Sequence, residues 1–116
     1  MTFSDYMVKM RIKYRAKVVD ISAETGISLN YLYRILNGYK RTATRDYIIL
    51  ICRSIGMSVE ETNKALRLNQ MPALRNERDQ IIARCINDGR NIRMTNESLA
   101  EAGFPELEFC KGDLWT

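Results

Sequence analysis

The chain has 116 residues, 46% of them aliphatic or aromatic, with only two prolines and six glycines, so a core can form and few strong breakers interrupt helices. It carries a net charge of +4 and no histidine, and its three cysteines (Cys52, Cys85 and Cys110) form no CxxC pair, which argues against a zinc site and against histidine-based catalysis. The longest apolar run, residues 47–52, stops at Arg53, far short of the ~18 residues that a membrane span needs.

Residues 8–18 alternate apolar and basic side chains as an edge strand would, yet Phe3, Met7, Met10 and Tyr14 fall on one helical stripe. No second strand stands nearby to pair with, and an isolated strand leaves its backbone unsatisfied, so the segment reads as a helix over residues 3–13. A second helix covers residues 17–24, with Val18 and Ile21 inward and Val19 a further inward candidate. It stops at Thr25-Gly26, where glycine suits the left-handed conformation that ends a helix. Ser28 is a good N-cap for a third helix over residues 29–36, with Leu32, Ile35 and Leu36 apolar and Asn37-Gly38 as the closing turn.

Thr44 caps a fourth helix over residues 45–55, closed by Gly56. Ser58 and Glu61 then form a capping box that opens a fifth helix, reaching about Leu68. Pro72 marks the next loop. A sixth helix is predicted over residues 77–87, closed by Gly89, and a seventh over residues 96–102, closed by Gly103 and Pro105. A short tail with Phe109 and Trp115 follows.

Residues 45–74 repeat in residues 78–107 at an offset of 33, with eleven of thirty positions identical. The identities include Arg45/Arg78, Asp46/Asp79, Ile49/Ile82, Cys52/Cys85, Asn63/Asn96, Leu66/Leu99, Pro72/Pro105 and Leu74/Leu107. Each copy reads as a long apolar helix, a glycine turn, a capped helix and a proline loop, so the expectation is a duplicated helical hairpin with the second copy packed on the first. Cys52 and Cys85 then occupy one equivalent inward position, a packing role for reduced thiols.

The charge is uneven. Residues 1–44 hold eight Lys/Arg against three acids, whereas residues 45–116 hold ten against eleven. A basic front half draws polyanions such as nucleic acid or anionic lipid, with an ordinary solvated face as the plainer alternative.

Residues 21–38 contain Ile21, Gly26, Ile27, Ser28, Leu32 and Gly38 at the spacing of an apolar–glycine–apolar–serine frame with a closing glycine. In these residues, and in Phe3, Met7, Met10 and Arg11, the chain resembles the Cro/lambda-repressor (XRE-like) helix-turn-helix family over about residues 3–66. The resemblance implies an all-α fold: a five-helix repressor-like helix-turn-helix domain in residues 1–74. The repeated hairpin of residues 75–107 and the tail of residues 108–116 lie outside it. It also implies sequence-specific binding of double-stranded DNA by a transcriptional regulator, a repressor, with the second helix of the pair in the major groove.

By the same resemblance the base-facing positions are Leu29, Asn30, Tyr31 and Arg34. Asn30 suits a bidentate pair with adenine, Arg34 one with guanine, and Leu29 a thymine methyl. Backbone-contacting positions are Lys17, Tyr33, Asn37, Tyr39, Lys40, Arg41, Thr42 and Thr44. For Tyr31 and Tyr33, simple packing competes with phosphate contact.

Two departures stand out. Lys17-Val18 replaces the family's frequent Thr-Gln at the start of the second helix, and Leu36 replaces a glutamate that usually pairs with the first-helix arginine. Arg11 is thus left to face DNA or solvent, or to find Asp20 or another acid.

No enzyme, cofactor or small-molecule signature is evident: there is no P-loop, no GxGxxG and no nucleophile beside a base. Asp5 stands where a signal peptide would be basic, so the expected location is cytoplasmic, without a membrane partner. A homodimer is expected because two-fold DNA sites are usual, with its contact sought near Phe104, Phe109 and Trp115. The competing class is a protein-interaction module that keeps the fold without DNA binding, its anchors Leu29, Tyr31 and Tyr33.

Overall fold

The computed structural model describes residues 1–38 and 44–107, and over these the chain is all-α, with seven helices and no strand. They are α1 (Phe3–Tyr14), α2 (Val18–Thr25), α3 (Leu29–Leu36), α4 (Arg45–Ile55), α5 (Val59–Leu68), α6 (Glu77–Asn87) and α7 (Ile92–Glu101). None is long and apolar enough to cross a membrane.

Local chemistry sets most of the helix starts. Thr2, Ser28, Thr44, Ser58, Asn76 and Asn91 each accept a backbone N–H of the first turn. Such a cap supplies an acceptor that the helix lacks and contributes about 1 kcal/mol. α2 follows Lys17 and has no side-chain cap. Gly26 ends α2 in the left-handed region, at φ 79°, where a side chain would be strained.

Two expectations are corrected. The seventh helix begins at Ile92 rather than at residue 96, because Asn91 caps it by accepting from the Met94 amide at 2.9 Å. Asn91 is the repeat equivalent of Ser58, so the capping position is duplicated although the residue type is not. Val19 is 63% exposed and takes no part in the core.

α4 is the central helix. Ile48, Ile49, Leu50, Ile51 and Cys52 are all fully buried, so it is enclosed on every side, as a helix apolar all round must be. α1, α2, α5 and α7 pack against it. One core joins both hairpins, since Ile82, Ile86, Ile92, Leu99 and Leu107 belong to the same cluster as Met7, Ile21 and Leu32.

The two hairpins meet about an approximate two-fold axis. Arg45 forks onto Asp79 with both bonds at 2.9 Å, and Arg78 forks onto Asp46 at 3.0 and 2.9 Å. Each arginine also donates to the proline loop of its own hairpin: Arg45 Nε to Pro72 O at 3.0 Å, and Arg78 Nε to Pro105 O at 2.9 Å. Asn63 accepts the Leu74 amide at 2.8 Å and Asn96 accepts the Leu107 amide at 2.7 Å. The reciprocal exchange of equivalent residues is the signature of a two-fold interface, here within one chain. Together these contacts account for five pairs of repeat identities.

The diverged positions lie on the other face. Tyr47, Leu50, Ile51, Ile55 and Met57 are buried, and Tyr47 meets the Tyr31 ring of α3. Their equivalents Gln80, Arg84, Asp88 and Arg90 are exposed, with Ala83 half-buried. The first hairpin is covered by the N-terminal helices, while the same face of the second meets water and has become polar.

Candidate nucleic-acid interface

α2 and α3 are two eight-residue helices joined through Gly26, Ile27 and Ser28. Ile21, Ile27, Leu32 and Ile35 are at most 2% exposed, so their joint burial holds the pair together. Three further bonds stiffen the turn. Ser22 Oγ donates to Ile27 O at 2.6 Å, Thr25 Oγ1 donates to Ile21 O at 2.7 Å, and the Ile27 amide donates to Thr25 Oγ1 at 3.2 Å.

With Leu32, Ile35 and Leu36 inward, the 3.6-residue period turns Leu29, Asn30, Tyr33 and Arg34 outward. Leu29 is 40% exposed and Tyr33 48%. Asn30, Tyr33, Arg34 and Asn37 line one hollow of about 430 Å³. That surface joins two base-facing candidates, Asn30 and Arg34, to two backbone candidates, Tyr33 and Asn37. Tyr31 is placed differently: it is half-buried against the core, its ring 5.7 Å from that of Tyr47 and nearly perpendicular to it at 76°.

Lys17 is exposed and lines a second hollow of about 340 Å³ with Val8, Arg11, Ile12, Arg15 and Ala16. Arg15, exposed and in the left-handed conformation at φ 53°, is a cation that the motif reading did not single out. Its charge was visible in the sequence, but its place beside Lys17 depends on how the chain turns between α1 and α2. Arg11 is half-buried, and its Nε has no hydrogen-bond partner among the described residues; neither Asp20 nor another described acid takes the place of the missing glutamate. Thr44 is exposed and accepts the Tyr47 amide at 3.3 Å as the cap of α4. Tyr39, Lys40, Arg41 and Thr42 lie outside the described residues, as do Phe109 and Trp115, whereas Phe104 is half-buried against the core.

Lys13 differs from the other N-terminal cations. Its ammonium bonds Glu61 of α5, whose carboxylate also accepts from the Tyr14 hydroxyl and from the Ser58 amide at 3.0 Å. Burial opposes the Glu61 charge. The bonds from Lys13, the Ser58 amide and Tyr14 outweigh it and hold the carboxyl down at about 2. The capping box expected at Ser58 and Glu61 is present, and the same glutamate also ties α1 to α5.

Among the described residues no group of three or more Cys, Asp or Glu side chains is placed to hold a metal ion. No protein-family profile matches the chain, and comparison with characterised proteins and with solved structures finds no match either.

Proposed function

We propose that the chain binds double-stranded DNA sequence-specifically, as a repressor-type transcriptional regulator, with α3 in the major groove. The observation that carries this reading is the outward grouping of Asn30, Tyr33, Arg34 and Asn37 on a short, N-capped helix. Asn30 and Arg34 offer the bidentate chemistry that separates adenine and guanine from other bases. Tyr33, Asn37 and Lys17 supply phosphate contacts that set register, and Lys40 and Arg41 extend the basic charge beyond α3. One α3 reads only a few base pairs, so a pair of chains on a two-fold site completes the reading.

Selection of bound duplexes from a random pool tests it directly. The expected result is an enriched two-fold motif whose binding weakens steeply with salt. No binding at low salt would sink the proposal.

The exposure of Leu29 and Tyr33 favours a second reading, a protein-docking surface on α3. Replacing both by alanine separates the two. Loss of a captured protein partner that duplex DNA cannot displace supports the second reading.

A further inference from the structure

A cavity of about 550 Å³ lies where the last turn of α4 meets the turn entering α7, lined by Arg53, Ser54, Arg90, Ile92 and Arg93, with Glu24 of α2 at its side. Arg53 is the anomaly. Its equivalent in the second hairpin is Ile86, which is buried, so the hairpin accommodates an apolar side chain at this position. In the first hairpin the position holds a half-buried guanidinium whose Nε and Nη1 are shielded from solvent and bonded to no described residue. Burial also lowers its pKa. A partly desolvated cation without acceptors costs stability that an isoleucine would not.

The surroundings do not neutralise it. Glu24 accepts from Ser54 Oγ at 2.8 Å rather than from Arg53. Arg90 donates to the Ser98 hydroxyl at 3.0 Å. Arg93 has only an exposed and loose pair with Glu97 at 3.8 Å. Three arginines around one carboxylate leave the cavity with a net charge of +2. α7 also begins here; Asn91 takes up the Met94 amide, and the other first-turn N–H groups have no acceptor within the helix.

We propose that this cavity binds a small phosphate-bearing anion, with Arg53 as its fork and Arg90 and Arg93 as flanking cations. Once its shielded edge turns toward the cavity, the Arg53 guanidinium can bond two phosphate oxygens at once, and a dianionic phosphate monoester balances the cavity charge. The volume falls within the roughly 300–1,000 Å³ of small-molecule pockets. The proposal stands apart from the DNA reading, because it uses none of the α3 residues.

Thermal unfolding of the full chain tests it, with millimolar pyrophosphate or AMP as probe and sodium chloride at matched ionic strength as control. The wild type is expected to gain about 4 °C or more once the probe is several-fold above its Kd. Arg53→Ile should fold with unchanged helicity and lose that gain. The double variant Arg90→Ala/Arg93→Ala, altered only at exposed side chains, should lose most of it. No gain over the salt control, or an equal gain in Arg53→Ile, overturns the proposal. If Arg53→Ile does not fold, the double variant decides, and an undiminished gain there overturns it. A duplex DNA arm at equal phosphate concentration separates the two sources of phosphate. Stabilisation by the duplex alone, lost in Arg53→Ile, would move Arg53 to a DNA interface and also overturn the small-anion assignment.

Discussion

Arg45 closes on Asp79 through two parallel hydrogen bonds of 2.9 Å each, across 34 positions of sequence. The Asp79 side chain is 3% exposed, so the pair is close to fully desolvated on the carboxylate side. Its repeat equivalent, Arg78 with Asp46, has the same fork, but the Asp46 side chain is 21% exposed. The difference follows from where each helix starts. α6 begins one position earlier in the repeat than α4, which makes Asp79 the closing residue of a capping box with Asn76. Asp79 therefore also accepts the amides of Arg75 at 2.9 Å and Asn76 at 3.3 Å.

This asymmetry predicts unequal costs. Asp79→Ala removes a buried carboxylate that serves a half-buried guanidinium and two amides, and should destabilise the chain by about 3–5 kcal/mol. Asp46→Ala removes a better hydrated carboxylate that, among the described residues, accepts only from Arg78 and should cost about 1–2 kcal/mol. Denaturant unfolding of the two variants measures both, and equal costs would contradict the structural difference.

Glu61 predicts a pH dependence. Its carboxyl is lowered from 4.5 to about 2, so its contribution is complete above about 4.5 and disappears as pH falls through 2. Glu61→Gln should lose about 2 kcal/mol at pH 7, with the gap to wild type closing between those two pH values. A gap that stays constant down to pH 2 would show that the carboxylate charge is not the cause.

The DNA reading predicts a division of labour on α3. Arg34→Ala should relax base preference at one position of the selected motif and cost about 1–3 kcal/mol. Lys17→Ala should weaken all sequences alike and reduce the salt slope by about 1. Tyr31→Leu should lower stability but leave the motif unchanged, because that ring packs on Tyr47. Binding isotherms over a salt series resolve the three behaviours.

The thiols predict a labelling pattern. Cys52 and Cys85 are buried and free, and burial pushes the Cys52 thiol up to about 12. At pH 8 the native chain should therefore react at no more than one of its three cysteines, Cys110, and at all three once unfolded. Rapid native modification of Cys52, located by peptide mass, would count against the packing of α4.

Much of the helical layout could be read from residues a few positions apart. Ser28, Thr44 and Ser58 marked helix starts, and Gly26 and Gly56 marked ends. Capping and helical periodicity act over three or four residues, so a single sequence displays them. The offset of 33 also exposed the duplication, although aligning Asn91 with Ser58 would have placed α7 correctly as well. Outward placement of Asn30 and Arg34 follows from the same period. Other features depended on how the helices dock. Tyr31 turns to Tyr47, Val19 meets solvent, Arg15 comes beside Lys17, and Glu61 gathers Lys13 and Tyr14. The Arg–Asp exchange joins residues 34 and 32 positions apart. No local spacing rule encodes such pairs. They form only where packed faces bring distant side chains within hydrogen-bond reach, and burial then decides which charges are satisfied and which, like Arg53, are left over.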